Sequence, residues 1–203
     1  MQISEFFENV LEGFHQTSWL ELAAVGFGVV QVFLSKANKL SNYYFGIISI
    51  LLTISVYFGA RLYAEILLNL YYLVMSVYGI WYWKFKNKKE VPITSCTRTE
   101  WGIVLFIVVV GYLLLYWSLV KFTNSDVPLL DSIVSSTAWA GMWLLAKRKI
   151  ENWVLLNISN IIAIPLLFHK NLYLFACLTI VLFVVAIFGY LKWKSIKSSV
   201  VIN

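Results

Sequence analysis

Hydrophobic positions along the chain gather into seven long apolar runs, at about 18–35, 42–59, 62–83, 101–121, 128–146, 152–168 and 171–192, separated by short polar or basic connectors. Each run reaches or approaches the roughly 20 residues that a helix needs to cross a bilayer. The pattern predicts an all-α integral membrane protein with seven transmembrane helices. Ahead of them Ile3, Phe6, Phe7, Val10, Leu11 and Phe14 recur at helical spacing, with Glu5, Glu8, Asn9 and Glu12 on the other face. That predicts a short amphipathic helix, residues 1–17, lying on the membrane surface, and it lacks the basic start and small-residue cleavage site of a signal peptide.

The runs also repeat. Sliding the chain on itself by 110 residues brings Lys39 onto Lys149, Asn42 onto Asn152, Tyr43 onto Trp153, Ser49 onto Ser159 and Phe58 onto Phe168. It continues through Leu62-Tyr63 on Leu172-Tyr173, Gly79 on Gly189 and Trp83-Lys84 on Trp193-Lys194. Two apolar helices agree by chance at many positions, but the Asn, Gly, Tyr and Trp-Lys matches are not of that kind. Each copy holds three helices, and an odd number inverts the second copy unless one more helix intervenes. Helix 4, almost without polar residues between Trp101 and Tyr116, supplies it. The expected arrangement is 3+1+3: repeat one over 18–89, a linker with helix 4 over 90–125, repeat two over 126–197 and a tail at 198–203. The two repeats then run parallel about an axis along the membrane normal, with a solute pathway between them.

Charge gives the chain a direction. Thirteen Lys and Arg fall in the connectors of one side, and only Arg61, Lys121 and Lys170 in those of the other. By the positive-inside rule the first side is cytoplasmic, which puts the N-terminus outside and the C-terminus inside. Composition agrees with a lipid solvent: 61% apolar, 13% charged and 17% aromatic residues, with nine Trp mostly near run ends, against roughly a quarter charged in a soluble domain. The net charge of +6 sits in these connectors, so nucleic acid is not the expected partner. Cys96, Cys177, His15 and His169 are isolated in sequence and suggest neither disulfide nor metal.

Polar groups inside hydrocarbon are costly unless they face a partner or a wet cavity, so their positions point to a site. Asn157, Ser159 and Asn160 lie in the middle of helix 6, a turn before Pro165; Asn69 and Tyr72 pair on helix 3, and Ser49 and Thr53 on helix 2. The competing reading is helix-to-helix hydrogen bonding, or, for the hydroxyls, a bond to the carbonyl one turn back. In helix 5, Trp139 and Trp143 stand four apart beside Ser135, Ser136, Ala138 and Ala140, a combination that offers a slot for a flat or cationic ring; Trp143 also suits the interfacial belt. The candidate binding residues are therefore Trp139, Asn160, Asn69, Tyr72, Asn157, Trp143 and Ser49. Glu21 and Asp131 read as helix N-terminal acids, and Glu65 as a partner of Arg61. No carboxylate is expected at the midplane, which argues for uncoupled movement of solute. The chain carries no phosphate-binding Gly loop, HExxH or Ser/His/Asp set, so neither catalysis nor a cofactor is expected.

The run Trp143-Leu144-Leu145-Ala146-Lys147-Arg148-Lys149-Ile150-Glu151-Asn152-Trp153 strongly resembles the signature of PnuC-type transporters of nicotinamide riboside. Leu62-Tyr63-Ala64-Glu65 through Tyr72, Ser76, Tyr78-Gly79 and Trp83 support it, as do Gly189-Tyr190 and Trp193, and the likeness covers about 18–195. The resemblance implies the 3+1+3 fold, a homotrimer in the bacterial cytoplasmic membrane, and facilitated diffusion of a vitamin that a cytoplasmic kinase traps by phosphorylation. Asn69, Met142 and Leu156 depart from the riboside pattern, which has Gln at the first two positions and Trp at the third. Thiamine and riboflavin therefore stand as alternative cargoes. The competing class is a membrane scaffold or receptor whose polar residues serve only packing.

Overall fold

The structure, a computed structural model, describes residues 17–59, 63–85, 91–123, 125–170 and 172–202. The expected amphipathic helix, save Thr17, lies outside them, as does Arg61. The described residues form seven α-helices: α1 (Trp19–Lys36), α2 (Asn42–Gly59), α3 (Tyr63–Phe85), α4 (Arg98–Phe122), α5 (Pro128–Ala146), α6 (Asn152–His169) and α7 (Tyr173–Ile202). Five of these, all but α2 and α3, are long and apolar enough to cross a membrane.

The helix ends follow local chemistry. Ser18 and Glu21 form a reciprocal cap at the start of α1, Glu21 N–H donating to Ser18 Oγ at 3.3 Å and Ser18 N–H to Glu21 Oε2 at 3.1 Å. Glu21 is thus the N-terminal acid the sequence suggests. Thr97 and Glu100 make the same box, which starts α4 three residues before its apolar run begins. At the far end α7 continues well past residue 192. Lys192, Lys194 and Lys197 end the apolar run but not the helix, because Lys is a good helix former and no Gly or Pro follows.

Neighbouring helices pack in a closed ring, α1 on α2, α2 on α3, α3 on α5, α5 on α6, α6 on α7, and α7 back on α1. Helix α4 lies outside the ring against α5. Its other face is bare: Leu105, Phe106, Leu113, Leu114, Trp117 and Val120 are each more than half exposed. An apolar strip of that extent belongs in lipid, not water.

Interactions recur at positions 110 apart. Asn42 Nδ2 donates to Lys39 O at 2.7 Å, and Asn152 Nδ2 to Lys149 O at 2.6 Å. Ser49 Oγ donates to Ala24 O at 2.7 Å, and Ser159 Oγ to Val134 O at 2.9 Å. Trp83 Nε1 and Trp193 Nε1, also 110 apart, reach Ala146 O and Ser35 O, acceptors one position out of that register, both at 3.1 Å. Asn38 and Arg148 share a positive φ, 57° and 56°. The two serine bonds cross between helices, where such a bond contributes roughly 0.6 kcal/mol, and at most about 1.7. Ser49→Ala and Ser159→Ala should therefore each lower the thermal midpoint in detergent by only a degree or two; a collapse of the fold would show that the hydroxyls do more than join helices.

The basic connectors meet at one end of the molecule. There the segment between α3 and α4 runs beside the α5–α6 connector: Thr94 N–H donates to Arg148 O at 3.1 Å and Ile150 N–H to Thr94 O at 3.0 Å. Arg148 Nη1 donates to Val91 O, and its guanidinium lies 4.1 Å from the Trp83 ring centroid. Lys149 Nζ pairs with Glu100 at 2.8 Å, Cys96 N–H donates to Glu151 Oε2 at 3.0 Å, and Lys197 Nζ reaches Ser95 Oγ at 2.5 Å. Arg148 and Lys149 are both buried. Two of the charges that read as simple orienting residues thus fasten a strap across this end. Burial and the Glu151 carboxylate push the Cys96 thiol up to about 12, so it stays protonated at neutral pH.

Candidate functional site

The ring encloses a cavity of about 350 Å³, lined by all six of its helices and by no residue of α4. The lining follows the repeat. Ser49 and Ser159, Ile50 and Asn160, Thr53 and Ala163, Asn69 and Thr179, Tyr72 and Leu182, and Ser35 and Leu145 all face it, each pair 110 residues apart in the chain. The frame is matched while the chemistry is not, since a polar group at one position commonly faces an apolar one at its counterpart. Such a lining can orient an asymmetric solute.

Four of the seven candidate residues, Ser49, Asn69, Tyr72 and Asn160, line this cavity together. Ser49 spends its hydroxyl proton on Ala24 O, so only its remaining lone pairs are offered inward. The structure does not bring Trp139, Trp143 or Asn157 to the cavity. On α5 the inward residues are Asp131, Val134, Ser135, Ala138, Met142 and Leu145, and Trp139 and Trp143 each follow one of these by a single residue, about 100° around the helix. Trp139 instead stacks on Tyr71, centroids 4.7 Å apart at 27°, and accepts the Tyr71 hydroxyl on its carbonyl at 3.0 Å. It also packs over Gly111 of α4. Trp143 packs beside Val104 of α4, with Lys147 Nζ 5.6 Å from its ring centroid. Asn157, one residue past Leu156, is likewise turned away, its Oδ1 buried without a hydrogen-bond partner. Of the small residues beside the two tryptophans, Ser135 and Ala138 line the cavity, while the tryptophans themselves do not.

Among the lining residues outside the candidate set are Gln31, Ser35, Trp153 and Lys170. Gln31 is the lone amide in an apolar run, a signal that was available. Trp153 belongs to the signature segment, yet its role depends on packing: it is buried at 3% exposure, stands edge-on to Trp193 at 5.6 Å, and leaves Nε1 without a partner. Ser35 Oγ, buried on the same cavity, is also unpartnered. Towards the basic end Trp153, which lines the cavity, packs in one cluster with Trp193, Trp83 and Tyr43, the last two in edge contact at 5.2 Å, with Trp83 and Trp193 at 6.2 Å.

At the opposite end Asp131 and Lys170 both line the cavity. Lys170 Nζ sits 2.7 Å from each Asp131 oxygen, and Ser125 Oγ donates to Asp131 Oδ2 at 3.0 Å. Asp131 is therefore an ion-pair partner as well as a helix N-terminal acid. Nearby, His169 Nε2 and Asp126 Oδ2 stand 2.7 Å apart on the surface, a bond that holds the Asp126 carboxyl below its ordinary range. No group of three metal-ligating side chains occurs among the described residues.

Residues 18–195 match the family described as nicotinamide mononucleotide transporter. The chain belongs to the PnuC transporter family. Its curated relatives include the nicotinamide riboside transporter PnuC of Escherichia coli (strain K12), 23% identical over 89% of this chain and 87% of that one. Another is the PnuC of Neisseria mucosa, named a nicotinamide riboside transporter, 30% identical over 75% of this chain and 61% of its own length. Among solved structures, the crystal structure of the vitamin B3 transporter PnuC shares the fold, with a TM-score of 0.73 and 24% identity over 96% of this chain and 90% of that one. This PnuC-family chain is accordingly a multi-pass membrane transporter. Its segment Trp143 to Trp153 now has a physical content: it ends α5, forms the buried Arg148–Lys149 strap anchor and opens α6 on the cavity.

Proposed function

We propose that this PnuC-family protein imports nicotinamide riboside by facilitated diffusion, the solute being held in the six-helix cavity and trapped afterwards by a cytoplasmic kinase. The observation that carries the reading is the cavity itself. It has the size of an ordinary small-molecule site, is mostly apolar, and presents a few convergent polar groups, Asn69, Tyr72 and Asn160. The amides suit ribose hydroxyls and a carboxamide.

The family description names a mononucleotide and the curated relatives a riboside, and cavity charge separates the two. Among the described residues, Asp131 and Lys170 are the charged residues of the lining, and they neutralise each other. A phosphate would enter with no uncompensated cation to receive it, at a large desolvation cost. The riboside is therefore the favoured cargo, with thiamine and riboflavin as flat, hydroxyl-bearing alternatives.

The matched contacts 110 residues apart support two parallel three-helix repeats, 18–89 and 126–197, that rock against each other to give alternating access. On the positive-inside count the aromatic cluster faces the cytoplasm and the Asp131–Lys170 end faces out, with the N-terminus outside and the C-terminus inside. The family resemblance carries the homotrimer.

Proteoliposomes loaded with a nicotinamide riboside kinase and ATP test the whole reading. Phosphorylated product should accumulate inside only when the protein is present. A binding titration with the three vitamins ranks the cargoes, and a protein that binds none of them and yields no product would be a scaffold or receptor.

A further inference from the structure

We infer that the Asp131–Lys170 ion pair sets the charge preference of the cavity, the two side chains cancelling so that loss of the carboxylate disfavours, and loss of the ammonium favours, a cationic nucleoside over an uncharged one. This rests on reading the cavity as the cargo site. Both side chains line it, and Lys170 Nζ makes two contacts of 2.7 Å to the carboxylate. They are only 24% and 12% exposed, so water screens them less than it would a surface pair.

Neither repeat symmetry nor helix capping accounts for the pair. The position 110 residues before Asp131 is Glu21, which caps α1 with Ser18 and does not line the cavity. The position 110 before Lys170 is Ala60. A half-buried ion pair is also a weak source of stability, since desolvation offsets most of the attraction. What it does provide is a cavity wall with zero net charge where either partner alone would leave a full one. Among the described residues, Asp126 and His169 also stand at this end, paired with each other at 65% and 58% exposure, and Lys121 lies in the last turn of α4 with its Nζ 4.9 Å from the Trp117 ring centroid. Asp126 feels the Lys170 charge, but at that exposure its compensation is diluted by solvent.

An unpaired unit charge roughly 10 Å from a charged cargo, at an effective dielectric of about 20, changes its affinity on the order of tenfold. An uncharged cargo of the same shape feels almost nothing. The test compares nicotinamide riboside, a pyridinium cation, with its uncharged dihydro form, titrated on the same detergent-purified preparation. In Asp131→Asn the residual Lys170 cation should weaken the cation about tenfold relative to the neutral solute. In Lys170→Met the residual carboxylate should move the ratio the other way. The double variant Asp131→Asn/Lys170→Met should return it towards wild type. Because the readout is a ratio within one preparation, partial unfolding cancels.

A ratio unchanged in both single variants, or shifted in the same direction in both, overturns the inference and leaves the cargo reading standing. Wild-type protein that binds neither solute overturns the cargo reading itself.

Discussion

Gly79→Ala and Gly189→Ala should cost more folded protein than any other single methyl added to this chain. A Cβ at Gly79 would stand 2.3 Å from Tyr43 Cζ, 2.5 Å from Cε1 and 2.6 Å from Oη; one at Gly189 would stand 2.7 Å from Trp153 Cε2 and Cζ2. Neither ring can yield easily. Tyr43 is 1% and Trp153 3% exposed, and each is wedged edge-on against a second aromatic, Trp83 or Trp193. Overpacking a well-filled core typically costs about 1–3 kcal/mol, and overlap with a rigid ring puts these at the upper end. In a chain of this size that corresponds to a fall in the melting midpoint of roughly 6 °C or more, readable by size exclusion after heating in detergent. Gly102→Ala, where the added Cβ meets nothing within 4 Å, should leave the midpoint unchanged. A Gly79→Ala protein as stable as Gly102→Ala would mean that α2 and α3 do not pack as closely as described.

The second large effect is functional. Asn160→Leu keeps the branched shape and heavy-atom number of the side chain and removes an amide from the cavity wall, so nicotinamide riboside should lose at least one hydrogen bond, about 1–1.5 kcal/mol, or roughly tenfold in apparent affinity. The thermal midpoint should hold. Asn157→Leu is the informative companion, because that amide lies outside the cavity and its Oδ1 has no partner. Replacing it should leave uptake near wild type and stability equal or slightly higher. Equal losses from the two variants would show that helix 6 contributes to packing and not to cargo.

Those two amides also mark how far reading the residues in order can go. Asn157 and Asn160 are three apart, about 60° around a helix, and nothing local says on which side of the pair the cavity edge falls. The same holds on α5, where Ala138 faces the cavity and Trp139, the more conspicuous residue, faces α4 and Tyr71. Stacking chemistry drew attention to the large rings, but the space for a solute is left by the small ones. The strap is a further case: Lys147, Arg148 and Lys149 look alike in a basic connector. Only the arrival of residues 91–97 from far along the chain buries two of them and gives each a partner.

What the amino-acid order settled by itself is whatever depends on period and solvent. The seven helices follow from run length and apolarity, two of them to the residue; the family follows from the Trp143–Trp153 segment. The 110-residue spacing follows from identity between copies and reappears as paired hydrogen bonds of nearly equal length. What only the tertiary structure decided is which face of each helix turns inward. In hydrocarbon the lipid-facing and helix-facing sides are nearly equally apolar, so no hydrophobic stripe distinguishes them, and rotation about each axis is set by interlocking shapes such as Gly79 beneath Tyr43 and Gly189 beneath Trp153. At the end away from the basic connectors Asp131 of α5 meets Lys170, a pairing between residues 39 positions apart that no local pattern announces.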